Sequence, residues 1–142
     1  MSIKSMKQEE KDLLIKDLSA RVYYGVVCQC NPIEQIKNKK DYIARGIDEN
    51  SSIIIYDSSK YTINCYKPYL RKISSATEKE KEEIRSIKGN ICSYGILPGT
   101  VSINDEYINK LVDFYNSHHF DFRGLIPMGL AIEVTKENNP YK

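Results

Sequence analysis

Between Val22 and Tyr66 the chain gathers β-branched and aromatic residues into short runs separated by turn signals, and this spacing constrains the fold more than any other feature. VYYGVVCQC, from Val22 to Cys30, is closed by Asn31-Pro32, a turn dipeptide. In DYIARGID, Ile43, Arg45 and Ile47 alternate with Tyr42, Ala44 and Gly46, as a strand with two different faces requires. SIIIYD and YTINCY follow, joined by the hairpin-length link Asp57-Ser58-Ser59-Lys60. Short strands connected by turns rather than helices predict an antiparallel sheet or a small SH3-like barrel.

Helical periods flank this region. Leu14, Ile15 and Leu18 recur at three- and four-residue spacing between about Met6 and Ser19, with Ser5 and Gln8 at capping-box positions. Pro68 removes a ladder donor, so KPYLRKI is expected to leave the sheet along its rim. Thr77 and Glu80 then stand at capping-box spacing ahead of EKEKEE, and Gly89 occupies a stop position, which predicts a solvated helix from about Glu78 to Lys88. Asn104 can cap a later helix whose apolar residues Tyr107, Ile108, Leu111, Val112, Phe114 and Tyr115 have the period of a face packed on the sheet. LAIEV, after Pro127 and Gly129, has strand composition and is expected as an edge. The fold class is therefore α+β: an N-terminal helix, a four-stranded antiparallel sheet or SH3-like barrel, two C-terminal helices and a closing extended segment. A length of 142 residues suits one domain, 1–142, mainly β over 20–73 and mainly helical over 76–142.

Hydrophobic residues at 41% and charged residues at 28% argue against disorder and against a fibrous class. A net charge of +2 is too mild for a protein that coats nucleic acid. The N-terminal MSIKSMKQEEKD carries no apolar run of signal-peptide length, and nowhere do 18 apolar residues follow one another, so a cytoplasmic protein without membrane association is expected. Cys28, Cys30, Cys65 and Cys92 then read as reduced thiols.

The chemistry-bearing residues fall into three groups. His118, His119, Asp121 and Arg123 lie within six positions at the end of the last helical pattern. Histidine with a carboxylate suits zinc or iron, but adjacent helical side chains point about 100° apart and cannot easily share an ion. A single histidine oriented by Asp121 or Glu133 could transfer protons. The structural alternative is a helix terminus: imidazoles on free carbonyls, Phe120 and Phe122 as anchors and Gly124 as the exit turn. In the second group, Lys60, Tyr61, Tyr66, Lys67, Tyr69, Arg71 and Lys72 interleave cations with rings that could stack bases, or form an amphipathic edge strand. The third, Cys28-x-Cys30 with Cys65 and Cys92, lacks zinc-finger spacing and reads better as buried small hydrophobes. No cofactor is implied.

Three phrases carry a resemblance: Asp17-Leu18-Ser19-Ala20-Arg21 with Tyr24-Gly25-Val26; Lys67-Pro68-Tyr69-Leu70-Arg71 with Ser74-Ser75 and Thr77-Glu78; and His118 to Ile126 with Gly129-Leu130-Ala131. Together they resemble a family of uncharacterised proteins encoded in prophages and other mobile elements of gut anaerobes, with Ala76 standing where that family's pattern suggests methionine. The resemblance implies no catalytic residue. The expected function is a non-catalytic interaction or accessory module with a protein partner. The alternatives are single-stranded nucleic-acid binding through the Lys60 to Lys72 face and, third, a histidine- or metal-dependent enzyme.

Overall fold

The computed structural model describes residues 7–30, 40–47, 52–54, 60–62, 66–94, 101–103 and 105–141. The helices are α1 (Gln8–Arg21), α2 (Glu78–Gly89) and α3 (Asp105–Ser117). The strands are β1 (Val27–Cys30), β2 (Lys40–Ile43), β3 (Gly46–Ile47), β4 (Ser52–Ile54), β5 (Lys60–Thr62), β6 (Tyr66–Leu70), β7 (Cys92–Tyr94), β8 (Val101–Ile103) and β9 (Ile132–Glu133). The protein is mixed α+β, as its patterning predicts.

Local chemistry explains the helix boundaries. The Lys7 N–H donates to the Glu10 carboxylate at 2.9 Å where α1 begins, while Ser5 lies outside the described residues. At α2 the expected capping box forms: Glu80 N–H donates to Thr77 Oγ1 at 3.1 Å and Thr77 N–H to the Glu80 carboxylate at 2.8 Å. Gly89 does not serve as a left-handed stop. It is the last residue of α2, and Asn90, in right-handed conformation, closes the turn by donating its side-chain amide to the Ser86 carbonyl at 2.9 Å. Asn104, expected to cap α3, lies outside the described residues.

The strands group differently from the expectation. The main sheet has the order β2-β1-β6-β9, β3-β4-β5 form a second sheet and β7-β8 a third. β1 pairs antiparallel with both β2 and β6, but β9 runs parallel to β6, so the four-stranded sheet is mixed rather than antiparallel. As described, this sheet is open between β2 and β9, and no SH3-like barrel is shown. The parallel pairing follows from chain path: β9 returns to the sheet after two helices, a crossover long enough to reverse direction.

KPYLRKI does not skirt the rim. Tyr66–Leu70 is an inner strand with Pro68 opposite Cys28. Proline fits because the Leu70 carbonyl accepts from Val134 N–H at 2.8 Å, which puts the backbone groups of residue 70, and of residue 68 two positions earlier, on the β9 side. Pairing with β9 starts only at Tyr69, so no bond is lost where proline has no N–H.

One face of this sheet is the floor of the main core. Cys28, Ala44, Tyr66 and Leu70 pack with Leu14 and Leu18 of α1 and with Leu125, Leu130 and Ala131. A second cluster joins Ala76, Ile84, Phe114, Tyr115 and Phe120, so α3 rests on α2 and on the segment after it rather than on the sheet. Leu70 is fully buried where β1, β6 and β9 meet. Leu70→Ala should cost about 2–5 kcal/mol in urea unfolding, through lost transfer energy and the cavity left behind.

Candidate functional site

The three phrases singled out in the sequence converge at one place, and α1 begins it. Asp17 and Arg21 stand four apart on the stripe that carries Leu14 and Leu18, so both are drawn inside and are 0% exposed. Arg21 Nε donates to Asp17 Oδ2 at 2.9 Å and its Nη2 donates to the Phe120 carbonyl. Arg123 Nη1 donates to the other Asp17 oxygen at 2.7 Å. One buried carboxylate thus bridges two guanidinium groups and ties α1 to residues 120–123. Phe122 lies beneath both cations, its ring 4.2 Å from Arg123 and 5.7 Å from Arg21.

The second phrase enters at the end of β6. Arg71 N–H donates to the His119 carbonyl at 2.7 Å and Asp121 N–H to the Arg71 carbonyl at 2.8 Å, a parallel bridge that clamps residues 119–121 beside the sheet. The Arg71 side chain lies 4.3 Å over the Phe120 ring and forms a fork with the Glu80 carboxylate at 2.8 and 2.7 Å. This pairing holds the Glu80 carboxyl at about 2, against an ordinary 4.5.

The histidine segment is the third. His118 stacks on Phe114 at 4.0 Å, and its Nδ1 lies 2.9 Å from the Phe114 carbonyl, which also accepts the His118 N–H at 3.1 Å where α3 ends. Ser117 Oγ donates to that same carbonyl at 3.1 Å and sits 3.1 Å from His118 Nδ1. In the tautomer with its proton on Nδ1, His118 donates to the carbonyl and has no lone pair there for the serine proton. His119 has φ +61 and stacks on Tyr141 at 3.8 Å. Burial, assisted by the nearby Arg21, Arg71 and His118, lowers its pKa to about 4. Asp121 accepts Leu125 N–H at 2.8 Å and Ile126 N–H at 2.9 Å, fixing the turn that follows Gly124, itself at φ +78. Asp121 and Arg123 consequently serve different partners, and neither orients a histidine. Glu133, the other carboxylate considered for that task, lies 3.3 Å from Lys72.

Tyr141 completes the cluster from far along the chain. Its hydroxyl accepts Val27 N–H at 3.1 Å and donates to the Tyr69 carbonyl at 2.7 Å. Val27 and Tyr69 lie one step beyond the Cys28–Pro68 pair, so the hydroxyl sits where β1 and β6 separate. Burial raises the pKa of this phenol well above its usual value.

The basic and aromatic stretch is divided by the sheet. Tyr66 is fully buried on the core face, and Tyr69, 5% exposed, donates its hydroxyl to Asp41 at 2.9 Å and accepts from Gln29 at 3.1 Å. Lys67 and Lys72 are exposed, whereas Arg71 is committed to Glu80. The side chains of Lys60 and Tyr61 lie outside the described set, as do those of Cys30, Cys65 and Cys92, while Cys28 is buried in the core. Among the described residues no group of three metal-ligating side chains converges, and no helix is long and apolar enough to cross a membrane.

Sequence reasoning on candidate residues passed over Asp17, Arg21, Glu80 and Tyr141. A charged i,i+4 pair on the apolar stripe of α1 was the available signal for the first two; Tyr141 gave none, since its partner Val27 is 114 residues away. No protein-family model, curated protein or solved structure matches this chain.

Two measurements check this geometry. Asp17→Asn leaves the fully buried Arg21 without its counter-ion and should cost about 3–5 kcal/mol in urea unfolding. Unfolded His119 takes a proton near its ordinary 6.5 that the folded protein accepts only near 4, so stability should fall as pH drops through that window. Glu80, with its lowered pKa, contributes stability present above 4.5 and lost as pH falls towards 2. Unfolding titrations at stepped pH should show the upper slope flattened in His119→Asn and the lower one in Glu80→Gln.

Proposed function

We propose that this protein is a non-catalytic interaction module of the cytoplasm, encoded by a mobile element or phage, which acts by binding a protein partner. The observation that carries the reading is an opposition between inside and outside. Arg21, Arg71, Arg123, Asp17, Glu80, Asp121 and His118 hold one another or the backbone, and His119 is stacked on Tyr141, while the exposed apolar side chains stand in solvent. Tyr23 is 93% exposed, its chain neighbour Tyr24 and Ile43, the pairing partner of Val27, are also exposed, and Met128 projects from the turn fixed by Asp121. Large rings and methionine standing in water are the composition from which interface centres are built. Among the described residues, neither a nucleophile held on an activating base nor a preorganised anion site accompanies the histidines, which favours binding over catalysis.

Photo-cross-linking tests this reading. The photoreactive residue p-benzoylphenylalanine, placed singly at positions 23, 108 and 128 in the native host, should give discrete protein adducts at one or more positions, competed away by excess unmodified protein. Absence of competed adducts at all three positions would remove the interaction reading.

A further inference from the structure

Tyr141 does more to the main sheet than pack beside it. The Ala44 N–H donates to the Val26 carbonyl at 3.1 Å, so the even-numbered positions of β1 turn their backbone groups to β2 and the odd-numbered ones to β6. The register that sets Cys28 against Pro68 and Gln29 against Lys67 brings Val27 next against Tyr69. In an unbroken antiparallel ladder those two residues would bond directly, Val27 N–H to the Tyr69 carbonyl. Instead the Tyr141 hydroxyl stands between them, accepting Val27 N–H at 3.1 Å and donating to the Tyr69 carbonyl at 2.7 Å. A side chain 114 positions from Val27 is thus inserted at the last rung of the ladder, and the two strands stand apart there by the width of a hydroxyl.

Withdrawal of the hydroxyl would strand neither group. Val27 N–H and the Tyr69 carbonyl are each other's ladder partners, so the rung can close and keep both satisfied. The segment that carries Tyr141 is also lightly fastened. Val134 N–H donates to the Leu70 carbonyl at 2.8 Å, and past it positions 135–138 are exposed. Among the described residues, the hydrogen bonds of 135–140 close on the segment itself or on Glu133: Asn138 Oδ1 accepts Thr135 N–H, Asn138 Nδ2 donates to the Glu133 carbonyl at 3.0 Å, and Asn139 Oδ1 accepts Tyr141 N–H at 2.9 Å. Its polar hold on the rest of the protein past Val134 is the Tyr141 hydroxyl, joined by the stack of the Tyr141 ring on His119 at 3.8 Å. Few outward bonds and an exposed middle mark a unit that opens below the free energy of global unfolding.

We infer that Tyr141 is a removable wedge and that segment 135–141 is the strap that carries it. The main sheet then has two arrangements: strap seated with the Val27–Tyr69 rung held open, and strap released with the rung closed. Both arrangements satisfy the same donor and acceptor, which makes the sheet end a two-position element rather than a merely loose one. Release also uncovers the His119 ring, which belongs to the segment clamped by Arg71, so the strap governs what that segment shows to solvent. The assignment needs no partner and stands independently of the interaction-module reading.

Native-state hydrogen exchange of the full chain, read by NMR, separates a wedge from a plain anchor. If release closes the rung, Val27 N–H passes from one acceptor to another and stays protected. The Tyr141 hydroxyl, followed through the isotope shift on its ring carbon, and the Thr135 amide should then lose protection together, about tenfold or more below Val27, while Val27 keeps the protection of Gln29 on the same strand. Val27 exchanging in step with the Tyr141 hydroxyl would overturn the assignment, and so would a hydroxyl as protected as Gln29. Scalar coupling across hydrogen bonds tests the closed rung directly in Tyr141→Phe and Tyr141→Ala. Phenylalanine keeps the ring but would strand both backbone groups if it stayed seated. A correlation between the Val27 nitrogen and the Tyr69 carbonyl carbon, absent from the wild type, should appear in both variants, with the signals of 135–141 moving to unstructured values. Folded variants that lack this correlation would sink the idea; if a variant fails to fold, the exchange pattern of the wild type decides.

Discussion

A single carboxylate, Asp17, lies fully buried between Arg21 of its own helix and Arg123 from the far end of the chain, and much of the architecture depends on that arrangement. Two guanidinium groups around one carboxylate in a dry interior are stable only if their remaining donors find acceptors. Arg21 meets this demand in part by reaching the Phe120 carbonyl, which fixes where residues 120–123 cross the helix. Arg71 then clamps the same segment from the other side through its backbone, and Glu80 holds the Arg71 side chain. The helix, the inner strand and the segment after α3 are locked at one point, and the apolar clusters form on either side of it.

The histidine doublet changes meaning in this setting. His118 closes α3, and His119 takes a left-handed conformation that turns the chain from α3 into the clamp. Its imidazole is kept neutral by burial and by the arginines around it, so it contributes a flat stacking surface for Tyr141 rather than a charge. A cluster composed of residues common in active sites is here engaged in packing and in hydrogen bonds within the fold.

Much of the helical architecture was legible. Capping-box spacing at Thr77 and Glu80 and the apolar period of Tyr107 to Tyr115 are local signals, decided by neighbours three and four residues away, and α2 and α3 follow them. The β region was legible as strands but not as sheets. Pairing between β1 and β6 spans some forty residues, and nothing in YKPYL announces that Pro68 will face a side of the sheet where no bond is required. The polar cluster was half legible: its residues lay within phrases that stood out, but their partners belong to other phrases.

The sequence by itself determined the α+β class, the three helices to within a few residues of their ends, strand character for Val27–Cys30 and the exit at Gly124, because each depends on periodicity, capping or a local backbone requirement. The strand was expected from Val22, but Val22–Tyr24 forms a 3-10 turn instead. Only the tertiary structure decided that β9 would run parallel to β6, that Asp17 would hold Arg123 instead of Asp121 doing so, and that Tyr141 would enter between β1 and β6. Those outcomes rest on contacts between residues about sixty to more than a hundred positions apart. Burial sets their strength, and burial exists only once the chain has closed around them.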